Sequence, residues 1–194
     1  MNVLSLFDGM SCGQLALQKE NIPVTTYYAS GIDTHAMKIT KKNFPNTIQL
    51  GDVRNINNYG YNIFTKGNID LLIGGSPCQG FSFSGKQLNF ADPRSKLFFE
   101  FARLYKELKP KYFLLENVRM AQSSQDIILS YFKVNPIEIN SSLVSAQSRR
   151  RLYWTNIPFD LPKDKKIMYK DIKEDNVEDK YYYSDKMLQW IEKH

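Results

Sequence analysis

One thiol carries the strongest chemical signal in the chain. Residues 70–85 read Asp-Leu-Leu-Ile-Gly-Gly-Ser-Pro-Cys-Gln-Gly-Phe-Ser-Phe-Ser-Gly. An apolar, strand-like run ends in two glycines, and a Pro-Cys pair leads into a loop of Gly, Ser and Phe. That order sets Cys78 at the mouth of a buried strand, on a segment able to move over a ligand. A packing cysteine behaves as a small buried hydrophobe; a thiol in this setting reads as a nucleophile. Glu116-Asn117-Val118 closes a second apolar run, 112–115. A thiolate beside a carboxyl group suits attack on an electron-poor ring. The thiol adds to the ring, and the acid, protonated or hydrogen-bonded, polarises a ring nitrogen. A strand-end salt bridge is the other use of such a glutamate. Gln147-Ser148-Arg149-Arg150-Arg151 adds three guanidiniums, whose bidentate donors suit phosphates and base oxygens. Standing alone, such a run is a solvated face; opposite a cysteine and a glutamate it reads as substrate binding.

A second group of residues suits a nucleotide-like ligand. Phe7-Asp8-Gly9-Met10-Ser11-Cys12-Gly13 is a glycine-bearing strand-to-helix turn, the kind that lets backbone approach a ligand closely. Asp33 follows the second strand-like run, where an acid accepts hydrogen bonds from ribose hydroxyls; Asp52 follows the third and could read an adenine amino group. An acid at either place is equally what a helix N-cap demands. Together they outline an adenosyl-ligand site.

Alternating elements must position these groups. Short apolar runs at 2–7, 24–30, 48–50, 69–73, 112–115, 137–139 and 152–155 read as strands. Helical spacing appears over 14–20, in Ala36, Ile39 and Phe44, over 94–108 and over 124–132. In the 94–108 helix, Leu97, Phe98, Phe101, Leu104, Tyr105 and Leu108 form one stripe, and Pro110 stops it. The alternation predicts an α/β fold, a doubly wound, mostly parallel, Rossmann-like sheet, with ligands bound beyond the carboxyl ends of the strands. Asp8, Asp33, Asp52, Cys78 and Glu116 all stand at such ends.

The 194 residues are enough for one full core, with 42% hydrophobic and 24% charged residues. No apolar run approaches the roughly 20 residues needed to span a bilayer, and no basic leader precedes the first strand, so no membrane partner is expected. Two cysteines in separate turns, Cys12 and Cys78, suit free thiols in a reducing cytoplasm. The net charge of +6 lies entirely in residues 1–162, which hold 18 basic and 12 acidic residues; residues 163–194 balance at eight of each. A basic body agrees with a polyanionic partner or with ordinary solubilising charge. Residues 1–158 are expected to form the catalytic and cofactor-binding domain, and 159–194 a charged, Tyr-rich peripheral segment.

The ordered motifs resemble those of the DNA (cytosine-5)-methyltransferases of bacterial and phage restriction–modification systems, over residues 2–158. Phe7-Asp8-Gly9 resembles the family's first motif and Gly51-Asp52-Val53 its third. Gly74-Gly75-Ser76-Pro77-Cys78-Gln79-Gly80-Phe81-Ser82 resembles the catalytic loop, Glu116-Asn117-Val118 the sixth motif, and Gln147-x-Arg149-x-Arg151 the eighth. The resemblance implies methyl transfer from S-adenosylmethionine to carbon 5 of cytosine in double-stranded DNA, in a bacterial or phage-infected cytoplasm. Catalysis then falls to Cys78, Glu116, Arg149 and Arg151. Phe7, Asp8, Gly9, Ser11, Cys12, Asp33, Asp52, Val53, Pro77 and Leu97 would hold the cofactor. Ser76, Gln79, Asn117 and Gln147 would contact substrate; no metal is implied. The loop from Gln79 to about residue 93 would close over a flipped base.

Two departures stand out. Gly31 occupies the place where the family usually carries a ribose-binding glutamate. No target-recognition region or closing motif is found after residue 158. The chain thus reads as a catalytic half: one subunit of a split enzyme, active with a second polypeptide that carries recognition, the inactive product of a truncated gene, or a cofactor- or nucleic-acid-binding module without turnover. A tRNA cytosine is the alternative substrate, although the Cys-Phe-Thr signature of the RNA-methylating branch is not found.

Overall fold

The computed structural model describes residues 1–56, 68–77 and 95–193. Contacts divide the chain into two compact units, Met1–Asn140 with Arg150–Leu161, and Ser141–Arg149 with Pro162–His194.

The first unit is built on a seven-stranded sheet. Its strands are β1 (Asn2–Leu6), β2 (Thr26–Ser30), β3 (Ile48–Gly51), β4 (Leu71–Gly74), β5 (Tyr112–Asn117), β6 (Ile137–Asn140) and β7 (Arg150–Thr155). They lie in the order β3-β2-β1-β4-β5-β7-β6. The first five positions are parallel, and β7 runs antiparallel to both β5 and β6. The α/β, mostly parallel expectation holds; the antiparallel placement of β7 between β5 and β6 is new. Helices α1 (Cys12–Lys19), α2 (Thr34–Asn43), α3 (Phe98–Leu108) and α4 (Gln122–Phe132) alternate with the strands.

Alternation along the strands divides the core between the two faces of the sheet. Leu4, Leu6, Leu72, Phe113 and Leu115 pack with Phe98, Phe101 and Leu104 of α3 and with Ile128 and Phe132 of α4. Val3, Tyr27, Ala29 and Leu71 form the opposite layer with Leu17 of α1 and Ile73. Of the expected stripe, Phe98, Phe101, Leu104 and Leu108 are buried on α3, with Ala102 added, while Tyr105 and the preceding Leu97 are partly buried against the same core. Lys109 caps the helix in the left-handed region just before Pro110. β1 is central. The chain winds from it to β2 and β3 on one side, then crosses to β4 and β5 on the other. A crevice opens at such a reversal, beyond the carboxyl ends of β1 and β4.

In the second unit, Ser141 closes a short loop by donating its backbone N–H to the Arg149 carbonyl (3.1 Å) and its hydroxyl to the Gln147 carbonyl (2.6 Å). The unit also contains a helix, α5 (Asp185–Lys193), that the sequence reading did not anticipate. No residue of α5 is buried, in keeping with the weak core signal of this segment. Among the described residues, no helix is long and apolar enough to cross a membrane.

Candidate active site

At the reversal point lies a cavity of about 240 Å³. Phe7, Asp8, Gly9, Asp33, Asp52, Val53, Pro77 and Leu97, all expected from the sequence, line it together with Ser30, Gly31, Ile32, Ala36, Met37, Gln49 and Arg54. Apolar walls from Phe7, Ile32, Val53 and Leu97 suit a purine face, and three carboxylates supply acceptors for hydroxyl or ammonium donors. Ser11 and Cys12 do not line it. Ser11 is fully buried, donates to the Asp8 carboxylate and meets the Thr40 hydroxyl at 3.0 Å. Cys12 is a free, exposed thiol opening α1.

The three acids are held differently. Asp33 Oδ1 accepts from the backbone N–H groups of His35 (2.8 Å) and Ala36 (3.2 Å), capping α2. Those bonds hold its carboxyl below the ordinary range. Asp52 accepts from the Arg54 backbone (2.9 Å) and from its guanidinium. Arg54 therefore keeps Asp52 ionised well below the usual carboxylate range. Asp8 is gripped by neutral hydroxyls, Ser11 at Oδ2 and Tyr27 at Oδ1 (2.9 Å). Burial, aided by the charge of Asp8, pushes the Tyr27 phenol far above its ordinary value. Tyr27 escaped the sequence reading, because an aromatic residue inside a buried strand carries no sign of a polar partner. Arg54 escaped too, although its place two residues after Asp52 was the available clue.

Beside the cavity, β4 and β5 end together, with Gly74 paired to Leu115. Asn117 is 1% exposed, and its Nδ2 donates to the Ser76 hydroxyl (3.1 Å) and carbonyl (3.3 Å). Its Oδ1 accepts from the Val118 backbone (2.8 Å). These bonds between two residues expected to contact substrate tie the ends of the two strands together just before Cys78 in the chain. Cys78 and Gln79, with the loop through residue 93, lie outside the described residues. Glu116 and Arg151 meet, Oε1 to Nε, at 2.9 Å, with side chains 33% and 19% exposed. Gln147 and Arg149 belong to the second unit and are exposed there.

Gly75 makes the approach of Glu116 possible. A Cβ at this position would lie 2.7 Å from Glu116 Oε2. The atom it meets is the end of a flexible side chain, so Gly75→Ala is expected to cost less than about 1 kcal/mol in urea unfolding. The carboxylate must nevertheless move. Gly74 is a different case, because its Cβ would lie 2.6 Å from the Leu6 carbonyl oxygen, which is backbone and cannot swing away.

The strand order and the cavity at its reversal define a Rossmann-like ligand-binding domain. The model of the C-5 cytosine-specific DNA methylase family matches residues 1–194, and the chain belongs to that family. It is 44% identical over 118 residues to the Escherichia coli type II methyltransferase M.Eco47II, covering 60% of this chain and 27% of that one. Against type II methyltransferase M1.ScrFI of Lactococcus lactis subsp. cremoris it is 32% identical over 207 aligned residues, covering 95% of this chain and 51% of that one. A crystal structure of a protein described as a DNA modification methyltransferase encoded within an E. coli prophage superimposes with a TM-score of 0.62 at 31% identity. That match covers 80% of this chain and 46% of the other. The chain spans from about a quarter to about half the length of these relatives.

Proposed function

We propose that this chain is the catalytic and cofactor-binding part of a DNA (cytosine-5)-methyltransferase of restriction–modification type. The first unit holds S-adenosylmethionine and the target base. Recognition of the DNA sequence falls to further residues or to a second polypeptide. The observation that carries this reading is one mouth of the sheet, where a cavity fit for an adenosyl group adjoins the strand ends bearing Glu116, Arg151 and Pro77, to which Cys78 is bonded.

In this mechanism the target cytosine leaves the duplex stack. The Cys78 thiolate adds to ring carbon 6, and its electron pair displaces density toward carbon 5. Glu116 hydrogen-bonds ring nitrogen 3 and the exocyclic amine, favouring protonation of the ring as the thiol adds. Arg151 fixes one carboxylate oxygen of Glu116 and offers its remaining donors to the ring oxygen. S-adenosylmethionine, when bound, supplies the electrophilic methyl group that carbon 5 accepts. Loss of the carbon-5 proton then expels the thiolate and restores the aromatic ring.

A tritium methyl-transfer assay on plasmid DNA, run with and without lysate of the source, tests this reading. Label at carbon 5 of cytosine is the expected result; label absent under both conditions, or appearing in tRNA alone, would overturn it. Gly31 and the Asp52–Arg54 pair favour a second reading, a module that holds ligand weakly and does not turn over alone. A Cβ at Gly31 would find nothing nearer than 3.9 Å, from the Asp8 and Gly9 backbone nitrogens, so a longer side chain has room to start. Gly31→Glu is therefore expected to tighten S-adenosylmethionine binding by about 10- to 100-fold, through hydrogen bonds to the ribose. Equal dissociation constants by calorimetry would contradict it.

A further inference from the structure

We propose that Arg119 and Arg150, joined through Glu138, form a clamp for backbone phosphates of duplex DNA, and that Glu138 is the counter-charge a phosphate must displace. The inference rests on the reading of the chain as part of a DNA methyltransferase and names a DNA contact apart from the residues assigned to the base.

Alternation along β7 sends neighbouring arginines to opposite faces of the sheet. Residues directly opposite each other on antiparallel strands share a face. Glu116 is opposite Tyr153, and Arg151 lies on that face, where it meets Glu116 at 2.9 Å. Glu138 is opposite Leu152, so Arg150, two residues before Leu152, shares the other face with Glu138. There Arg150 Nη1 lies 3.7 Å from Glu138 Oε1, and Arg119 Nε lies 3.1 Å from Oε2. Arg119 stands two residues beyond the end of β5. The carboxyl ends of β5 and β6 and the start of β7 form one edge of the sheet. The Glu116–Arg151 pair and the Arg119–Glu138–Arg150 cluster therefore stand at the same edge on opposite faces, all within the first unit.

Within the cluster one carboxylate joins two guanidiniums. The Arg119 and Arg150 side chains are 57% and 58% exposed, against 19% for Arg151. A guanidinium is always charged, and its planar fork of five donors matches phosphate oxygens bidentately. An ion pair this exposed adds little to stability, whereas each DNA phosphate neutralised releases counterions and adds strongly to affinity. Glu138 gathers the two guanidiniums in the free chain, and its own charge repels an arriving phosphate. Phosphate and carboxylate thus compete for the same forks. Phosphate contacts fix the register of a protein on a duplex, and a base taken out of the stack needs its strand held beside it.

The test is binding of a labelled plasmid fragment to the full chain, followed by fluorescence anisotropy between about 50 and 200 mM salt. Arg119→Gln and Arg150→Gln are each expected to weaken binding about three- to tenfold, and to make the slope of log affinity against log salt shallower by about 1. Glu138→Gln removes the competing charge and is expected to tighten binding about three- to tenfold. Lys111→Gln makes the same change of net charge as the arginine variants, directly before β5 at the opposite edge of the sheet, and is expected to leave the slope unchanged. Arginine variants with the slope of Lys111→Gln would reduce the cluster to surface ion pairs. Weaker binding in Glu138→Gln would make the carboxylate a support rather than a competitor, and a shallower slope on tRNA but not on the duplex would assign the arginines to RNA. Any of the three overturns the proposal, as does a wild-type chain that binds no duplex at the lowest salt. Failure of the methyltransferase reading is seen separately, as label absent from cytosine in the tritium assay.

Discussion

Cys78→Ala is expected to abolish methyl transfer, lowering turnover by on the order of 10⁴-fold or more. The size of the effect follows from the chemistry. Carbon 5 of cytosine is a poor nucleophile until a group adds at carbon 6, and no other side chain here is proposed to make that bond. A hydroxyl is a far weaker nucleophile than a thiolate at neutral pH, so Cys78→Ser is expected to fall with Cys78→Ala. Binding of S-adenosylhomocysteine should be unchanged within about twofold in both variants, because the adenosyl reading rests on other residues. Tritium incorporation beside calorimetry separates the two effects. Transfer by Cys78→Ala at the wild-type rate would remove the thiol from the mechanism.

Glu116→Gln is expected to lower turnover by about 10²- to 10⁴-fold, the range for losing a positioned acid. The amide fills the same space beside Arg151 but cannot exchange a proton with the ring. Glu116→Ala adds a second penalty. Arg151 is only 19% exposed and would lose the carboxylate 2.9 Å from its Nε. A stability loss of about 1–2 kcal/mol, read as a lower midpoint of urea unfolding, should accompany the lost activity. A Gln variant with full turnover would make the Glu116–Arg151 contact a strand-end salt bridge with no part in catalysis.

Much of the frame was legible because burial imposes period. The alternation through Leu4, Leu6 and Leu72 on one face and Val3, Leu71 and Ile73 on the other follows from packing both faces of a central sheet. The stripe on α3 follows equally from one buried side. Strand order at the far edge was not legible. Nothing local in residues 150–155 says that β7 inserts antiparallel between β5 and β6, since pairing is decided by distant partners. Helix α5 was overlooked because the reading followed core signal, and no residue of this helix is buried.

The site divides in the same way. Eight of the ten expected cofactor residues line one cavity, since residues following parallel strands must collect at one edge. The sequence could not separate capping from ligand binding at Asp33 and Asp52, because both uses call for an acid at the same place. The structure shows the caps and the Arg54 pair. Nor could it show that Asn117 and Ser76 spend their polar atoms on each other. Contacts across 41 residues of chain leave no local mark.

Covalent capture on DNA containing 5-fluorocytosine tests the central claim most directly. Once the methyl group has been transferred, fluorine at carbon 5 leaves no proton to remove, so the carbon–sulfur bond cannot be released. With S-adenosylmethionine, and with lysate of the source if the chain needs a partner, a complex of this chain and DNA stable to denaturant is expected. Peptide mapping should place its bond at Cys78, and Cys78→Ala should give none. A wild-type chain that transfers methyl groups to cytosine yet forms no such complex, or forms it through another residue, would contradict the account.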